Sequence, residues 1–377
     1  ENKINKMSTR FMIALIMKLL SILFSAALIC SNQSMVPLKS FKINDNVTYD
    51  CIDIYKQPGL DHPLLRNHTI QMQPSVSRHE IKKKIGNNKT FKKMKCPYGT
   101  VPVLRNTKEF ISSAQLFVNN SHLISADSPG THIAGIRSHN GSFRGIEAWF
   151  NGINLNVGKD QASYSQIYIS GGLYKDANFI SAGWMINPAL FGDGRVWTYG
   201  FWKGKGGKGC YNTACSGFVQ VSHYVPISEP IDLKPGKFEW MLCSIHQDKQ
   251  TGNWWLSKIA PDEDVGYWPK ELFDQLENGA NMIGAGGVVQ ASHSGSSPPM
   301  GMGNFPNRIP SESAIFAKIE VLSSNFEKCK INHFPIEKLV DSAKCYGLRI
   351  GKNISYSTSE LGFFFNYGSP GGNSCGI

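Results

Sequence analysis

The stretch that decides the fold is residues 163–221, SYSQIYISGGLYKDANFISAGWMINPALFGDGRVWTYGFWKGKGGKGCYNTACSGFVQV. Apolar and polar residues alternate here in short runs that Gly, Asn and Asp interrupt. Three of these runs, 165–169, 180–188 and 195–199, have the alternation and the length of β-strands. The stretch therefore predicts a chain built from short strands joined by tight turns.

The composition of the whole chain agrees with a β-rich protein. With 377 residues the chain is longer than a typical single domain, which predicts two units or one domain with extra segments. The 37 glycines, 19 prolines and short aromatic-rich runs favour an all-β globule. Further strands are expected at 132–136 and 145–157, with Asn140-Gly141 as a hairpin signal between them.

The positive charge belongs to the first third of the chain. Residues 1–128 hold 18 Lys and Arg against 8 Asp and Glu, whereas the remainder holds 21 against 20. The densest part is Lys82-Lys83-Lys84 with four more lysines up to Lys95. Such a run binds polyanions or forms a solvated linker. Because Phe91 is its one aromatic residue, we favour the linker and expect no nucleic-acid partner.

The N-terminus has the features of a secretory signal. The apolar run 19–29 follows Lys18 and Arg10, which predicts a signal peptide over residues 1–31 with cleavage near Ser31. A signal anchor is the alternative, because residues 11–17 are also apolar. There is no further long apolar run, so we do not expect the mature chain to be embedded in a membrane.

Glycosylation signals and cysteines also favour a secretory route. Loss of Cys30 with the signal peptide leaves eight cysteines, an even number that suits an oxidising compartment. His62 and His68 lack the partners of a metal site, and there is no phosphate loop or H-E-x-x-H motif, so no metal or cofactor is expected. N-x-S/T sequons, the acceptor sites for N-glycans, occur at Asn32, Asn46, Asn67, Asn88, Asn119, Asn140 and Asn353.

Several unusual motifs then point to a known family. YDCIDIYKQP at 49–58, DHPLL at 61–65, QMQPS at 71–75 and CPYGTVPV at 96–103 resemble the activation peptide of the neprosin family of plant secreted proteins. The resemblance continues downstream through AGW at 182–184, GCYN at 209–212, TGNWWL at 251–256 and VGYWP at 265–269. It covers roughly residue 41 to the C-terminus.

The resemblance implies a domain plan and a reaction. A pro-segment with a basic linker, residues 32–128, would precede a mostly antiparallel, jelly-roll-like β-sandwich over 129–377, and would cover its cleft before processing. Active family members are glutamic endopeptidases that cut near proline, so a proline-containing peptide is the implied ligand. The implied compartment is extracellular, cell wall or vacuole. The implied disulfides are Cys51–Cys96, Cys210–Cys215 and Cys345–Cys375, while the pairing of Cys243 and Cys329 stays open.

The two glutamates that the family uses for catalysis are both replaced here. One family glutamate precedes Ala-Gly-Trp, where this chain has Ser181, and the other follows paired glycines, where it has Val288. Serine is not an acid or base at acid pH, and valine offers neither a proton nor an acceptor. Loss of one general acid or base removes about two to four orders of magnitude in rate. The substitutions therefore predict impaired catalysis.

Three other side chains are candidates for the cleft, namely Gln166, Trp184 and Tyr267. Gln166 matches the family pattern, although a glutamine on a sheet surface explains it equally well. Asp193 and Asp248 lie in turn sequences, which favours a structural role for both.

Three hypotheses follow for the function. The first is a catalytically impaired protein that still binds peptides. The second is an active, acid-pH, proline-directed endopeptidase that uses displaced carboxylates in the same cleft. The third is a structural role without a ligand, which predicts that the aromatic residues around Trp184 are buried in the core.

Overall fold

The computed structural model describes residues 37–75, 94–120, 129–173, 176–233, 237–259, 262–307, 309–351, 361–373 and 375. The expected signal peptide, the lysine run up to Lys93 and the sequons at Asn32, Asn88 and Asn353 lie outside these ranges. None of the described helices has the length and apolar character needed to cross a membrane.

The N-terminal segment forms a small sheet, several 3₁₀ turns and one helix. Three antiparallel strands pair in the order β1-β2-β3, and the Cys51–Cys96 disulfide joins β2 to the residues before β3. Three consecutive 3₁₀ turns fill the space between β2 and residue 66. The elements are β1 (Lys39–Asn44), β2 (Val47–Asp53), β3 (Thr100–Leu104), α1 (Lys108–Asn120) and the 3₁₀ turns Ile54–Lys56, Pro58–Asp61 and Pro63–Leu65.

The rest of the described chain forms two antiparallel sheets. The first sheet has eight strands in the order β11-β8-β7-β6-β15-β4-β18, with β9 beside β8. A short helix, α2 (Pro188–Phe191), follows β7. The strands are β4 (Thr131–Phe143), β6 (Ala162–Gly171), β7 (Asn178–Ile186), β8 (Val196–Lys203), β9 (Gly209–Tyr211), β11 (Pro230–Ile231), β15 (Ala280–Gln290) and β18 (Glu337–Val340).

The second sheet has nine strands and packs against the first. Its order is β10-β14-β13-β12-β5-β16-β20-β19, with β17 beside β16. The architecture is therefore the expected all-β, mostly antiparallel sandwich behind a disulfide-stapled N-terminal segment. The strands are β5 (Gly145–Ile153), β10 (Val219–Gln220), β12 (Phe238–Gln247), β13 (Trp254–Ile259), β14 (Asp262–Trp268), β16 (Ala314–Leu322), β17 (Lys328–Lys330), β19 (Gly347–Ile350) and β20 (Phe365–Gly368).

The core lies between the two sheets, and Trp184 is part of it. Trp184 is 1% exposed, and its indole N–H donates to the carbonyl of Asn151 on the second sheet over 3.1 Å. The prediction that Trp184 lines a cleft is therefore wrong. Successive residues of a strand point to opposite faces, so Trp184, three positions after Ser181, faces the other way.

The prediction of a hairpin turn at Asn140-Gly141 is also wrong. Both residues lie inside β4, which pairs with β15 on either side of them. Phe143 pairs with Ala280 and His139 with Met282, so Asn140, Gly141 and Ser142 together oppose one residue of β15. The Asn-Gly pair thus forms a bulge. The chain passes from the first sheet to the second at Arg144, because β4 ends at Phe143 and β5 begins at Gly145 in the second sheet.

The disulfides and sequons can be placed on this frame. Disulfides join Cys210 to Cys215 and Cys345 to Cys375, as well as Cys51 to Cys96. Cys243 on β12 and Cys329 on β17 have two strands between them and form no disulfide with each other. Among the described sequons, Asn46 and Asn67 are exposed, while Asn119 lies in α1 and Asn140 in β4.

Candidate functional site

Ser181 and Val288 lie on the same face of the first sheet, on the two strands that flank β6. Ser181 on β7 pairs with Tyr168, and Val288 on β15 pairs with Tyr164. Paired residues of antiparallel strands point to the same face, as do residues two apart on one strand. The two substituted positions are therefore diagonal neighbours across β6, with Gln166 between them.

Gln166 is the centre of this face. It pairs with Gly183 on one side and Gly286 on the other, and its side chain is buried. The Tyr199 hydroxyl donates a hydrogen bond to Gln166 Oε1. Gln166 Nε2 has no acceptor among the described residues. A small pocket opens beside it, lined by Ile133, Gly135, Gln166, Tyr168, Ala285, Gly286, Gly287, Val288 and Leu339.

Glycines form the floor of this pocket because the strands approach too closely for side chains. A Cβ at Gly286 would lie 2.6 Å from the Cα of Gly135 on β4. A Cβ at Gly284 would lie 2.3 Å from the ring of Tyr168, which therefore lies flat across β15. Real Cβ atoms do not approach that closely, so larger residues at these positions would push the strands apart and fill the pocket.

Tyrosines surround Gln166 and remain neutral at any physiological pH. Burial raises the pKa of Tyr199 well above its usual value, against a smaller opposing effect of the neighbouring Ser181 hydroxyl. Burial also raises the pKa of Tyr164 to about 12, and it raises that of Tyr168 further. Ser181 Oγ has no well-aligned hydrogen bond among the described residues. These hydroxyls can donate or accept hydrogen bonds but cannot serve as bases.

Two carboxylates beside the pocket are already paired, and the register of β18 with β4 places one of them, Glu337, on this face. Glu337 on β18 forms an ion pair with Arg137, with Nε 2.7 Å from Oε2, and this guanidinium lowers the pKa of Glu337. Asp341 accepts from His132 Nδ1 over 2.6 Å and from the backbone N–H of Ile133 over 2.7 Å. None of the residues that line the pocket carries a carboxylate. The pocket lining therefore offers polar groups to a ligand, while the Glu337 carboxylate on the same face is held by Arg137.

Glu229 is a further carboxylate with a perturbed pKa, but it points elsewhere. Burial raises the pKa of Glu229 and lowers that of Lys258, whose Nζ is 3.8 Å from the Glu229 carboxylate. Lys258 enters from the second sheet and also donates to Thr198 Oγ1 over 2.9 Å. Thr198 pairs with Trp184 and so faces the core. Nothing in the sequence predicted this buried pair, which lies between the sheets and away from Gln166.

Tyr267 belongs to a different surface, so the prediction that it lines the same cleft is wrong. It lies on β14 of the second sheet, and its side chain is fully buried beneath the N-terminal segment. Its hydroxyl accepts from the backbone N–H of Gln71 over 2.9 Å and is 2.8 Å from His68 Nε2. Sequence reasoning matched Tyr267 and Gln71 to the family separately but had no signal that they touch.

The N-terminal segment is fixed along one edge of the sandwich. Gln57 and Gln220 are joined by two hydrogen bonds, in which Gln57 Nε2 donates to the Gln220 carbonyl and the Gln220 N–H donates to Gln57 Oε1. The Tyr49 hydroxyl donates to the Ser228 carbonyl over 2.8 Å. Helix α1 packs against β9 and α2, next to the strand that carries Tyr199. Gly59 fits because a Cβ there would strike the Phe218 carbonyl.

In the described part of the chain, no three His, Cys, Asp or Glu side chains come together as metal ligands. His62 is buried 5.8 Å from the ring of Trp202, and Asp193 pairs with Arg195 in its turn. Asp248 accepts from the Gln250 and Thr251 N–H groups of its own turn, and also from Ser75 of the N-terminal segment.

Comparisons with known proteins identify both parts of the chain. The sequence profile described as Neprosin matches residues 159–370, and the one described as Neprosin activation peptide matches residues 40–131.

Solved structures show weaker likenesses. Scytalido-glutamic peptidase with a peptide-based transition state analog is 11% identical at a TM-score of 0.35, over 64% of this chain and 98% of that one. SCP-B, a member of the Eqolisin family of peptidases in a complex with the tripeptide Ala-Ile-His, is 11% identical at 0.31, with the same coverage. The beta-porphyranase BpGH16B from the human gut bacterium Bacteroides plebeius is 11% identical at 0.22, over 41% and 54%. These scores are too low to carry a functional argument.

Proposed function

This chain belongs to the neprosin family, and we propose that it is a secreted member that has lost glutamic-peptidase catalysis and keeps a peptide-binding cleft. One observation carries the proposal. The two positions where the family has its glutamates hold Ser181 and Val288, on one face of one sheet and on either side of Gln166.

The loss of catalysis follows from what a glutamic peptidase requires. One carboxylate must take a proton from the attacking water, and a second acidic group must protonate the leaving nitrogen. Ser181 and Val288 can do neither, and the surrounding tyrosines have raised pKa values. Glu337 and Asp341 are held by Arg137 and His132 outside the pocket lining.

The retained binding is supported by the shape and polarity of the pocket. Gln166 lines the pocket, and its buried Nε2 has no acceptor among the described residues. Buried donors are rarely left unpaired. A peptide carbonyl is an acceptor of the right kind. Ile133, Leu339 and the Tyr168 ring supply apolar walls for a neighbouring side chain. The resemblance to proline-cutting enzymes makes proline-containing peptides the first ligands to test.

The proposal extends to the N-terminal segment and the compartment. Helix α1 packs against β9, which pairs with β8 of the first sheet. We therefore propose that the N-terminal segment limits access to the Gln166 cleft until the chain is processed. The predicted signal peptide and the sequons support entry into the secretory pathway.

The test measures binding and turnover on the processed protein. Proline-containing peptides are assayed at pH 3 to 5 by calorimetry for binding and by mass spectrometry for cleavage, because carboxyl pairs work in that range. We expect binding without cleavage. The variant Gln166→Leu should abolish binding, whereas Gln275→Leu, at an exposed glutamine, should not. Efficient cleavage by the wild-type protein would favour displaced carboxylates instead, and absence of binding would favour a purely structural role.

A further inference from the structure

The second sheet carries a built site around one side chain of the N-terminal segment, Gln71. Its Oε1 accepts from Asn253 Nδ2 over 2.9 Å and Trp255 Nε1 over 3.1 Å. It also lies 2.8 Å from Thr251 Oγ1, whose single proton it shares with Asp248 Oδ1 at 2.9 Å. These three side chains come from β13 and the turn before it. Their convergence on one oxygen distinguishes a specific recognition site from incidental contact.

The residues on either side of Gln71 are held as well. Its backbone N–H donates to the hydroxyl of Tyr267 over 2.9 Å. Ile70 packs into an apolar cluster with Val219, Trp255 and Tyr267. Four residues later, the N–H of Ser75 donates to the Asp248 carboxylate over 2.5 Å. The site therefore binds the segment through the Ile70 side chain, the Gln71 amide oxygen and the backbone N–H groups of Gln71 and Ser75.

We propose that this surface is a peptide-docking site for an extended Ile-Gln segment, and that it keeps the N-terminal segment bound as a noncovalent subunit after the chain is cut. Its occupant is this chain's own residues 68–75. The site is separate from the Gln166 cleft because it lies on the other sheet. Cutting the chain therefore need not release the segment, even if it frees the cleft.

The other attachments of the segment to the sandwich also favour retention. The Gln57–Gln220 pair and the Tyr49–Ser228 contact are also on the sandwich edge. The Cys51–Cys96 disulfide keeps residues 38–75 joined to β3 and α1. The other two disulfides lie wholly within the sandwich. A cut between residues 120 and 129 would therefore leave two chains joined only by noncovalent contacts.

The experiment introduces a site for a sequence-specific protease in place of residues 121–126 of the full chain. After cleavage, size-exclusion chromatography at intervals measures how fast the N-terminal fragment separates, in urea concentrations below those that unfold the sandwich. We expect the wild-type fragment to co-elute with the sandwich in buffer. Gln71→Ala should separate about 10- to 100-fold faster, because the buried Asn253 and Trp255 donors lose their acceptor. The matched control is Gln73→Ala, an exposed glutamine two residues away.

Two further variants protect the test against misfolding. Gln71→Glu keeps an oxygen acceptor at the same place and should separate within about threefold of the wild-type rate. Trp255→Phe removes one donor and keeps the packing, and should separate about 3- to 10-fold faster. The proposal is overturned if the wild-type fragment separates at once, or if Gln71→Ala and Trp255→Phe separate no faster than Gln73→Ala. None of these outcomes depends on peptide binding or turnover at the Gln166 cleft.

Discussion

Two glutamines, one on each side of the sandwich, are in opposite states. Gln71 Oε1 accepts from Asn253 and Trp255 and shares the Thr251 hydroxyl with Asp248, and the Tyr267 hydroxyl accepts the backbone N–H of Gln71. Gln166 Oε1 takes one from Tyr199, and its Nε2 has no acceptor among the described residues. The surface around Gln71 has its hydrogen bonds satisfied by the chain's own segment, whereas the Gln166 side chain has one N–H donor without an acceptor among the described residues.

The difference teaches how docking and ligand binding can be told apart in one molecule. A buried polar group that lacks a partner costs roughly 1–3 kcal/mol, so it persists where a ligand or water satisfies it. A fully satisfied group stabilises the arrangement that is already present. By this criterion we propose that the Gln71 surface keeps the chain's own segment and that the Gln166 face takes an exchangeable ligand.

The largest effect should come from restoring the family's glutamates on the first sheet. The double variant Ser181→Glu, Val288→Glu should raise peptide cleavage at pH 3 to 5 by about two to four orders of magnitude over wild type. Mass spectrometry of a proline-containing peptide measures this. Each single variant is the control, since one carboxylate alone cannot act as both base and acid. No gain in the folded double variant would mean that more than these two positions separates this chain from an active peptidase.

The next largest effect tests which aromatic residues belong to the first-sheet face. Trp184→Ala should lower the free energy of unfolding by about 3–5 kcal/mol, because it empties part of the core and leaves the Asn151 carbonyl without its donor. Urea denaturation measures it. Phe238→Ala, at a residue that is 40% exposed, is the control and should cost much less. A decrease in the free energy of unfolding below about 1 kcal/mol for Trp184→Ala would mean that Trp184 lines the cleft rather than the core.

A smaller effect is expected on the second sheet. Tyr267→Phe removes the hydroxyl that accepts from the Gln71 N–H and contacts His68, which should cost about 1–2 kcal/mol of segment binding. The separation rate of the cut protein gives this value. Tyr98→Phe is the matched change at a fully exposed tyrosine and should have no effect. Equal rates for the two variants would show that the hydroxyl is not part of the docking site.

The smallest effect is a pH dependence of docking. Burial alone would raise the pKa of Asp248, but hydrogen bonds from Ser75 and Thr251 outweigh it and lower the pKa to about 2. When the segment separates, Asp248 loses the bond from Ser75 but keeps those from its own turn, so its pKa rises only part of the way towards the usual value of about 3.9. The contribution of Ser75 to docking is therefore present above about pH 4 and is lost as the pH falls towards 2. Solvent screening limits it to about 1 kcal/mol.

The separation rate of the cut protein should therefore rise between pH 4 and pH 2. Asp248→Asn should weaken this rise, and Asp274→Asn, at an exposed aspartate, should leave it unchanged. If Asp248→Asn shows the full wild-type rise, the acid sensitivity lies in other groups.

Much of the fold was accessible from local sequence. The alternation in residues 163–221 predicted β6, β7 and the start of β8, and the structure places strands at these positions. The Asn140-Gly141 hairpin was wrong because the same dipeptide fits a bulge, and only the pairing of β4 with β15 selects between the two. Local turn chemistry cannot make that choice.

The sequence by itself determined the all-β class, the family and the absence of glutamates at positions 181 and 288, because these depend on residue type and spacing. Only the tertiary structure decided which side chains share a surface. It placed Ser181, Gln166 and Val288 on one face, Trp184 in the core and Tyr267 beneath Gln71, because strand register and sheet order join residues far apart in the chain. Gln71 and Trp255 are 184 positions apart, and no local pattern encodes a hydrogen bond between them.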